Sequence, residues 1–288
     1  MSELRIGVSG WSYPEWRGVF YPKGLVQRRE LEYVGERMNS VEINGSFYSL
    51  QNPDSYQKWA AATPDDFIFA LKGSKYISHN RKLTDVRIPL ANFFGSGVLL
   101  LGKKLGPILW QFPPWLRFDS QTISNFLYLL PKSTAGAARL SQENTIKITS
   151  KSWTDSIADV ELRYAFEPRH ESFMCPEFVE LLESHNCALA IADTGGKWPY
   201  AEEVTANFLY IRLHGENLYV SDYSDEALDR WTNRIKTWTK GGQPRDAVRT
   251  HKKKTPKIAR DIYVYFDNSI AGHAPSGAIH LAERLTRK

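Results

Sequence analysis

Val41-Glu42-Ile43-Asn44 is a short apolar run that ends in polar residues, and seven further runs of this kind are spaced along the chain. The eight runs cover residues 6–9, 41–44, 67–72, 108–111, 164–167, 188–193, 209–212 and 263–267. Most are followed by a stretch that is compatible with a helix. Eight strand–helix units predict an α/β fold, a single (β/α)8 barrel of the TIM type.

Helical spacing of apolar residues and helix-starting residues predict the outer layer of this barrel. Helices are predicted over 30–38, from Pro53 onward, over 87–104, 120–130, 176–185 and 224–238, with Ser224 as an N-cap, and over 270–286. An additional helix is predicted around Trp153 and Ile157. The segment 193–207 contains two glycines and a proline and is predicted to be a long loop.

The chain length fits one domain over residues 1–288, with insertions at 132–160, after the fourth strand, and at 240–260, after the seventh. Its 288 residues exceed the roughly 250 of a typical barrel by an amount that two insertions explain. Hydrophobic residues make up 42% of the chain, which is enough for a sizeable core. Aromatic residues make up 13%, and several lie beside strand ends, where they could form the walls of a ligand pocket.

The net charge of +5 is concentrated in the insertion at 240–260, which contains eight basic residues and one acidic residue. This segment therefore carries +7, and the remainder of the chain sums to about −2. A solvated loop is the simpler interpretation. The alternative is a non-catalytic protein that binds nucleic acid through this insertion.

Cys175 and Cys187 fit no spacing typical of a metal or redox motif. The first predicted strand begins within six residues of Met1, which leaves no room for a signal peptide. No apolar run approaches the roughly 20 residues that span a bilayer. We therefore expect a cytoplasmic protein without a membrane partner.

Ionisable side chains end several of the predicted strands, and in a barrel such ends meet at one face. Because strand residues alternate between faces, Glu42 and Asn44 should point inward while Val41 points to the helices. Glu167 with Arg169, and Arg212 with His214, repeat this spacing. A buried carboxylate or guanidinium is costly unless it is paired, so either function or a structural ion pair must explain them.

These positions define the candidate site. The predicted catalytic residues are Glu42, Glu167 and His214. The predicted substrate-binding residues are Trp11, Tyr13, Asn44, Phe47, Tyr48, Lys72, Gln111, Arg169, Asp193, Arg212, Asp267 and Asn268.

A metal centre is the rival interpretation, because oxygen and nitrogen ligands also line the predicted strand ends. They are Glu42, His79, Glu167, Asp193, His214 and Asp267. No compact ligand motif connects them, and the cations of the same cavity would oppose a divalent ion. We therefore expect no metal and no other cofactor.

The strand-end motifs resemble those of the domain of unknown function 72 family, the YecE-like proteins. The matching blocks include 7–13, 20–22, 41–48, 59–72, 111–114, 167–170, 210–215, 265–268 and 272–274. The resemblance implies a TIM-type barrel and no settled activity, substrate or cofactor. Family members usually carry Trp at the position of Phe173 and Asn at that of Asp267, and the basic insertion is longer than usual.

The leading hypothesis is an enzyme that uses acid–base chemistry on a small anionic or sugar-like molecule. Two inward carboxylates beside two guanidiniums could hold different pKa values, as an acid–base pair requires. Arg169, Arg212 and Lys72 would hold a phosphate or carboxylate group. The second hypothesis is metal-dependent hydrolysis or isomerisation on the same barrel.

Overall fold

Nine parallel β-strands form one sheet that is nearly closed into a barrel. The computed structural model describes residues 2–146, 152–216, 218, 221–251 and 256–287. Their strands are β1 (Leu4–Ser9), β2 (Ser40–Ile43), β3 (Ile68–Lys72), β4 (Leu105–Gln111), β5 (Tyr164–Glu167), β6 (Ala188–Leu189), β7 (Ile191–Asp193), β8 (Phe208–Leu213) and β9 (Asp261–Phe266). The sheet order is β6-β5-β4-β3-β2-β1-β9-β8-β7.

The predicted strand at 188–193 is divided into β6 and β7 by the single residue Ala190. β6 pairs with β5, whereas β7 pairs with β8, so the divided strand occupies the sixth position between them. The amide of Ala190 donates to the carbonyl of Phe166 at 2.8 Å. The fold is therefore the predicted TIM-like barrel, with its sixth strand interrupted.

Helices surround the sheet. They are α1 (Glu30–Gly35), α2 (Gly45–Tyr48), α3 (Pro53–Ala61), α4 (Arg87–Gly95), α5 (Ser120–Leu129), α6 (Thr134–Ser141), α7 (Pro176–Ser184), α8 (Asp225–Thr239) and α9 (His273–Thr286). Side-chain caps start several of them. As predicted, the Ser224 hydroxyl accepts the amide of Ala227 at the start of α8. The segment 193–207 contains no helix, also as predicted.

The predicted third helix over 87–104 is too long. The helix ends at Gly95, and residues 98–104 form short 3-10 turns instead. Gly97 has a φ of 112°, and a Cβ there would lie 2.7 Å from the Cα of Pro53. The close approach of α3 thus forces a backbone conformation that ends the helix.

The additional helix predicted around Trp153 and Ile157 is wrong. Residues 152–160 contain no helix, and the amide of Trp153 donates to the carbonyl of Gly95 at 2.9 Å. The helix of this insertion is α6, which begins after Ser133, whose hydroxyl accepts the amide of Gly136. Anchoring to the end of α4 keeps the later segment extended.

The packing follows the alternation of the strands. Val41 and Ile43 of β2 lie in the core between sheet and helices, while Ala70 and Ala165 face the barrel interior. These small residues leave room for the large rings of β8 and β9, namely Phe208, Tyr210, Tyr263 and Tyr265. The interior is therefore filled by side chains below the carboxyl ends of the strands.

The insertion at 240–260 connects α8 to β9, at the amino ends of the strands. Two of its cations are turned inward. Arg249 pairs with the buried carboxylate of Glu203 at 3.0 Å, and Arg260 is buried and donates to the carbonyls of Pro256 and Ile258. Lys252, Lys253 and Lys254 lie outside the described residues. The described part of the insertion lies at the end of the barrel opposite the strand carboxyl ends.

None of the helices in the described ranges is long and apolar enough to cross a membrane.

Candidate active site

Parallel register brings the strand-end side chains together in pairs. Ser9 of β1 is in register with Glu42 of β2, and Gln111 of β4 is in register with Glu167 of β5. Residues in register on neighbouring parallel strands point to the same face. All four side chains therefore enter the barrel at its carboxyl end.

Arg212 of β8 lies at the centre of this group and is completely buried. Its guanidinium contacts three carboxylates, Glu42 at 2.9 Å, Glu167 at 2.7 Å and Asp267 at 2.8 Å. Burial opposes its charge, but the three carboxylates outweigh burial and raise the pKa of Arg212. It is thus a permanent cation that joins β2, β5 and the end of β9.

Glu42 is enclosed by donors. Its carboxylate accepts hydrogen bonds from the Ser9 hydroxyl, from the Tyr210 hydroxyl at 2.6 Å and from Arg212. Asn44 donates to the Ser9 hydroxyl at 2.8 Å, which completes a chain of contacts across β1 and β2. The inward direction of Glu42 and Asn44 agrees with the strand alternation.

Glu167 lies between the buried centre and the barrel mouth. Its Oε1 accepts from the side-chain amide of Gln111 at 2.7 Å and from Nε of Arg169 at 3.0 Å. Burial alone would raise the pKa of Glu167, but the guanidiniums of Arg212 and Arg169 outweigh burial and hold this pKa well below its usual range. Glu167 is therefore ionised at neutral pH.

Asp267 links Arg212 to His214. Its Oδ2 lies 2.8 Å from Nη2 of Arg212 and 3.2 Å from Nδ1 of His214. Burial acts to raise the pKa of Asp267, but Arg212 and His214 hold it well below its usual range. Asp267 is thus a carboxylate within the cluster.

The guanidinium of Arg169 forms a hydrogen bond with the described residues through only one of its three nitrogens. Its Nε donates to Glu167, and its Cζ lies 5.2 Å from the centre of the Trp198 ring. Neither terminal nitrogen of Arg169 donates to an acceptor among the described residues. The indole N–H of Trp198 is also buried without an acceptor in the described part of the chain. Arg169 therefore offers donors at the mouth, and the ring beside it carries a buried donor.

Lys72, at the end of β3, is the third cation of the mouth. Its ammonium lies 4.3 Å from the centre of the Phe47 ring, and its side chain forms no ion pair with the described residues. Burial, followed by the charge of Arg212, lowers the pKa of Lys72 to about 8. His79 packs edge-on against the same Phe47 ring at 5.2 Å. Burial, followed by Lys72 and Arg169, lowers its pKa to about 4.

Trp11 and Tyr13 form a different part of the surface from Phe47. They line a cavity of about 300 Å³ together with Asn44 and Trp59, whose ring lies edge-on to Trp11 at 5.3 Å. The Tyr13 hydroxyl donates to the carbonyl of Ser9 at 2.6 Å, and burial with the nearby Asp267 raises its pKa to about 12. The predicted aromatic wall is thus divided into two separate parts.

Three predicted site residues lie away from the Arg212 cluster. Asp193 accepts from the Tyr223 hydroxyl at 3.2 Å and the Trp231 indole at 3.3 Å, so it faces α8. Asn268 is buried and donates to the carbonyl of Ser221. Tyr48 is 67% exposed at the outer rim.

Some residues of the site were not among the predicted ones. Ser9 and Tyr210 contact Glu42, and both share the inward face of their strands, so the alternation contained this signal. Trp198 lies in the long loop, where no regular alternation of residues predicts which way a side chain points. His79 was considered only as a metal ligand, and it lies on the π-helix Tyr76–Asn80.

The donor set does not suit a metal ion. Within the described ranges, no three His, Cys, Asp or Glu side chains are grouped as a metal would require. The guanidinium of Arg212 occupies the space between Glu42, Glu167 and Asp267, where a shared cation would bind. Asp193 points away from these carboxylates.

Comparison with known sequences agrees with this architecture. The sequence profile described as "Protein of unknown function DUF72" matches residues 5–288. The UPF0759 protein YunF of Bacillus subtilis is 22% identical over 98% of this chain and 94% of its own length. The UPF0759 protein YecE of Escherichia coli is 31% identical over 38% of this chain and 43% of its own length.

Solved structures show the same fold. A DUF72 family protein from Thermotoga maritima superimposes with a TM-score of 0.75 and 22% identity, covering 99% of this chain and all of that one. A second, from Enterococcus faecalis, has a TM-score of 0.70 and 18% identity, covering 99% of this chain and 96% of its own. With the sequence match over nearly its whole length, the chain belongs to the DUF72 family of proteins of unknown function.

Proposed function

We propose that the protein is an enzyme that binds a small anionic or sugar-like substrate at the carboxyl end of the barrel and moves protons within it. The observation that carries this proposal is the guanidinium of Arg169, anchored through Nε to Glu167 and leaving its two terminal nitrogens available at the mouth. A planar fork of this kind suits a phosphate or a carboxylate.

The charges of the cluster permit an anion to bind. The formal charges of Arg169, Arg212 and Lys72 cancel those of the three carboxylates, Glu42, Glu167 and Asp267. The negative groups lie around the buried Arg212, whereas Arg169 and Lys72 lie nearer the rim. A substrate whose anionic group contacts Arg169 would therefore place its remaining atoms towards the carboxylates.

The geometry distinguishes the three candidate catalytic residues. Glu42 is enclosed by Ser9, Tyr210 and Arg212, so we assign it to positioning Arg212. Glu167 is ionised and touches the proposed anion-binding residue, so it is the carboxylate placed to accept a proton, although its lowered pKa makes it a weak base. His214, held by Asp267, would exchange protons deeper in the site.

Calorimetric titration with inorganic phosphate tests the proposal. We expect Arg169→Gln to weaken phosphate binding at least tenfold, about 1.4 kcal/mol, because the fork is lost. Arg284→Gln is the matched control, since Arg284 has a similar side-chain exposure of 18%, against 16% for Arg169, but lies on α9 and pairs with Asp225 and Asp229. Equal affinities for wild type and Arg169→Gln would refute the proposal.

A further inference from the structure

Lys72 differs from the other two cations of the mouth in having no ionic partner among the residues that the structure describes. Arg212 contacts three carboxylates and Arg169 contacts Glu167, while the Lys72 ammonium packs over the Phe47 ring. Lys72 is buried, with 8% of the residue exposed. An amine in this position is poorly solvated, and it forms no salt bridge with the described residues.

The backbone of Lys72 is held firmly. Its carbonyl accepts the Ser46 hydroxyl at 2.7 Å, and the amide of Gly73 donates to the carbonyl of Leu109 at 2.8 Å. A Cβ on Gly73 would lie 2.4 Å from the buried ring of Trp110. The end of β3 is thus packed closely, which fixes the backbone from which the Lys72 side chain extends.

The charged groups around Lys72 come from every side of the barrel. The charged ones are Glu42 on β2, Glu167 on β5, Arg212 on β8 and Asp267 after β9, and the titratable His79 on the π-helix, with its pKa lowered to about 4, is neutral near pH 7. Burial and Arg212 favour the neutral amine, whereas the three carboxylates favour the ammonium. The balance lowers the pKa of Lys72 to about 8, so the neutral amine is accessible near neutral pH.

We infer that Lys72 is a nucleophile that forms a Schiff base with the carbonyl carbon of a small anionic aldehyde or ketone, such as a 2-oxo acid or a phosphorylated carbonyl compound. This deepens the proposed function and rests on it for the anionic group, which Arg169 would hold. Desolvated lysines at the mouths of enzyme cavities serve in this chemistry.

The step balances without a further reactant. The neutral amine attacks the carbonyl carbon, a C–N bond forms, and the π electrons move to the oxygen, which takes up a proton as the nitrogen loses one. The resulting hydroxyl takes up the second proton of the nitrogen and leaves as water when the C=N bond forms. Amine and carbonyl thus become imine and water, and a proton on the carbon next to the imine becomes accessible to the base Glu167.

Reductive trapping tests the inference on the full-length protein. The probes are pyruvate, glyoxylate and dihydroxyacetone phosphate, each added with sodium cyanoborohydride and followed by intact mass and peptide mapping. We expect one adduct per chain, at least tenfold enriched on Lys72 over the exposed Lys75, whose ammonium lies over the Tyr48 ring. Lys75→Gln should retain the adduct. Labelling of Lys72 no greater than that of Lys75 with all three probes would overturn the inference.

Two variants and one measurement on the wild type separate nucleophilicity from charge. Lys72→Arg keeps a cation but has no nucleophilic amine, so it should lose the adduct, and Lys72→Gln, which loses the charge as well, should also lose it. In the wild type, with reductant in excess at every pH so that imine formation limits trapping, the trapping rate should rise with pH and level off above about 8. This profile requires no variant to fold. A rate that does not change between pH 6 and pH 9 would argue against Lys72.

The failure of this inference differs from the failure of the proposed function. Phosphate binding that depends on Arg169, without a Lys72 adduct, leaves the proposed function and removes the inference. A Lys72 adduct, with phosphate binding unaffected by Arg169→Gln, supports the nucleophile and removes the assigned anion site.

Discussion

Arg212 and Glu42 face each other at two points inside the barrel, with Nε 3.1 Å from Oε2 and Nη2 2.9 Å from Oε1. Both are completely buried. Removing one partner of a buried ion pair typically costs about 3–5 kcal/mol. We expect Arg212→Met to lower the free energy of unfolding by that amount, because Glu42, Glu167 and Asp267 all lose their shared cation.

Glu42→Gln should cost less than Arg212→Met, because Glu167 and Asp267 still neutralise the guanidinium. Urea unfolding of both variants checks this order. Arg163→Met is the comparison for a partly exposed pair, since Arg163 contacts Asp261 at 2.8 Å with 24% of its side chain exposed. A larger loss in Glu42→Gln than in Arg212→Met would contradict the central position of Arg212.

The lowered pKa of Glu167 predicts how stability depends on acid. Its ionised form is favoured by folding, so the contribution is fully present above the ordinary value of 4.5 and is lost as pH falls towards the lower folded pKa. We expect the melting temperature of wild type to drop between about pH 5 and about pH 2, and Glu167→Gln to show a smaller drop. The exposed Glu226→Gln should behave as wild type does. Parallel curves for wild type and Glu167→Gln would show that Glu167 is not the group responsible.

Gly73 is required for packing below the site. Gly73→Ala would press a methyl group against the Trp110 ring at 2.4 Å, and overpacking of this kind costs about 1–3 kcal/mol. We expect this loss in thermal unfolding, together with slower trapping at the adjacent Lys72. Gly136→Ala is the control. Gly136 lies in α6, and a Cβ there would make only ordinary van der Waals contacts, at 3.4 Å or longer. A gain of roughly 0.5–1 kcal/mol is expected for it.

Glu203 fastens the basic insertion to the barrel. Its buried carboxylate accepts from the hydroxyl of Thr250 at 3.1 Å, from the amide of the same residue and from Arg249 at 3.0 Å. Glu203→Gln removes the charge that these donors share, so the insertion should open. We expect trypsin to cleave after Arg249 at least five times faster than in wild type, measured by mass spectrometry. Unchanged cleavage would mean that other contacts suffice, and phosphate binding at the distant mouth serves as a folding control.

The strand alternation predicted most of the buried cluster. Glu42, Glu167 and Arg212 each follow an inward-facing residue two positions earlier, so their convergence is a property of the barrel itself. The same rule, applied to 191–193, places Asp193 on the face of Ile191, towards the helices, and the structure has it there. A position at the end of a strand alone is therefore not enough to predict that Asp193 lies at the mouth.

The remaining features depend on loops, where no period exists. Trp198 reaches Arg169 from a segment without helix or strand, and His79 reaches Phe47 from a π-helix. The end of α4 was also missed, because it is decided by the approach of Pro53 to Gly97, which are 44 positions apart. Contacts of this kind, between segments far apart in the chain, cannot be predicted from the spacing of apolar residues within one segment.

The interruption at Ala190 has a consequence for motion in the barrel. β6 contributes two residues and β7 three, whereas β1, β8 and β9 contribute six each. Fewer backbone hydrogen bonds hold the sixth position than its neighbours, and local opening follows the weakest pairing. In deuterium-labelling experiments, the amides flanking Ala190 should therefore exchange before those of β1 and β9. The barrel would then open locally at its sixth strand position before it opens at those longer strands.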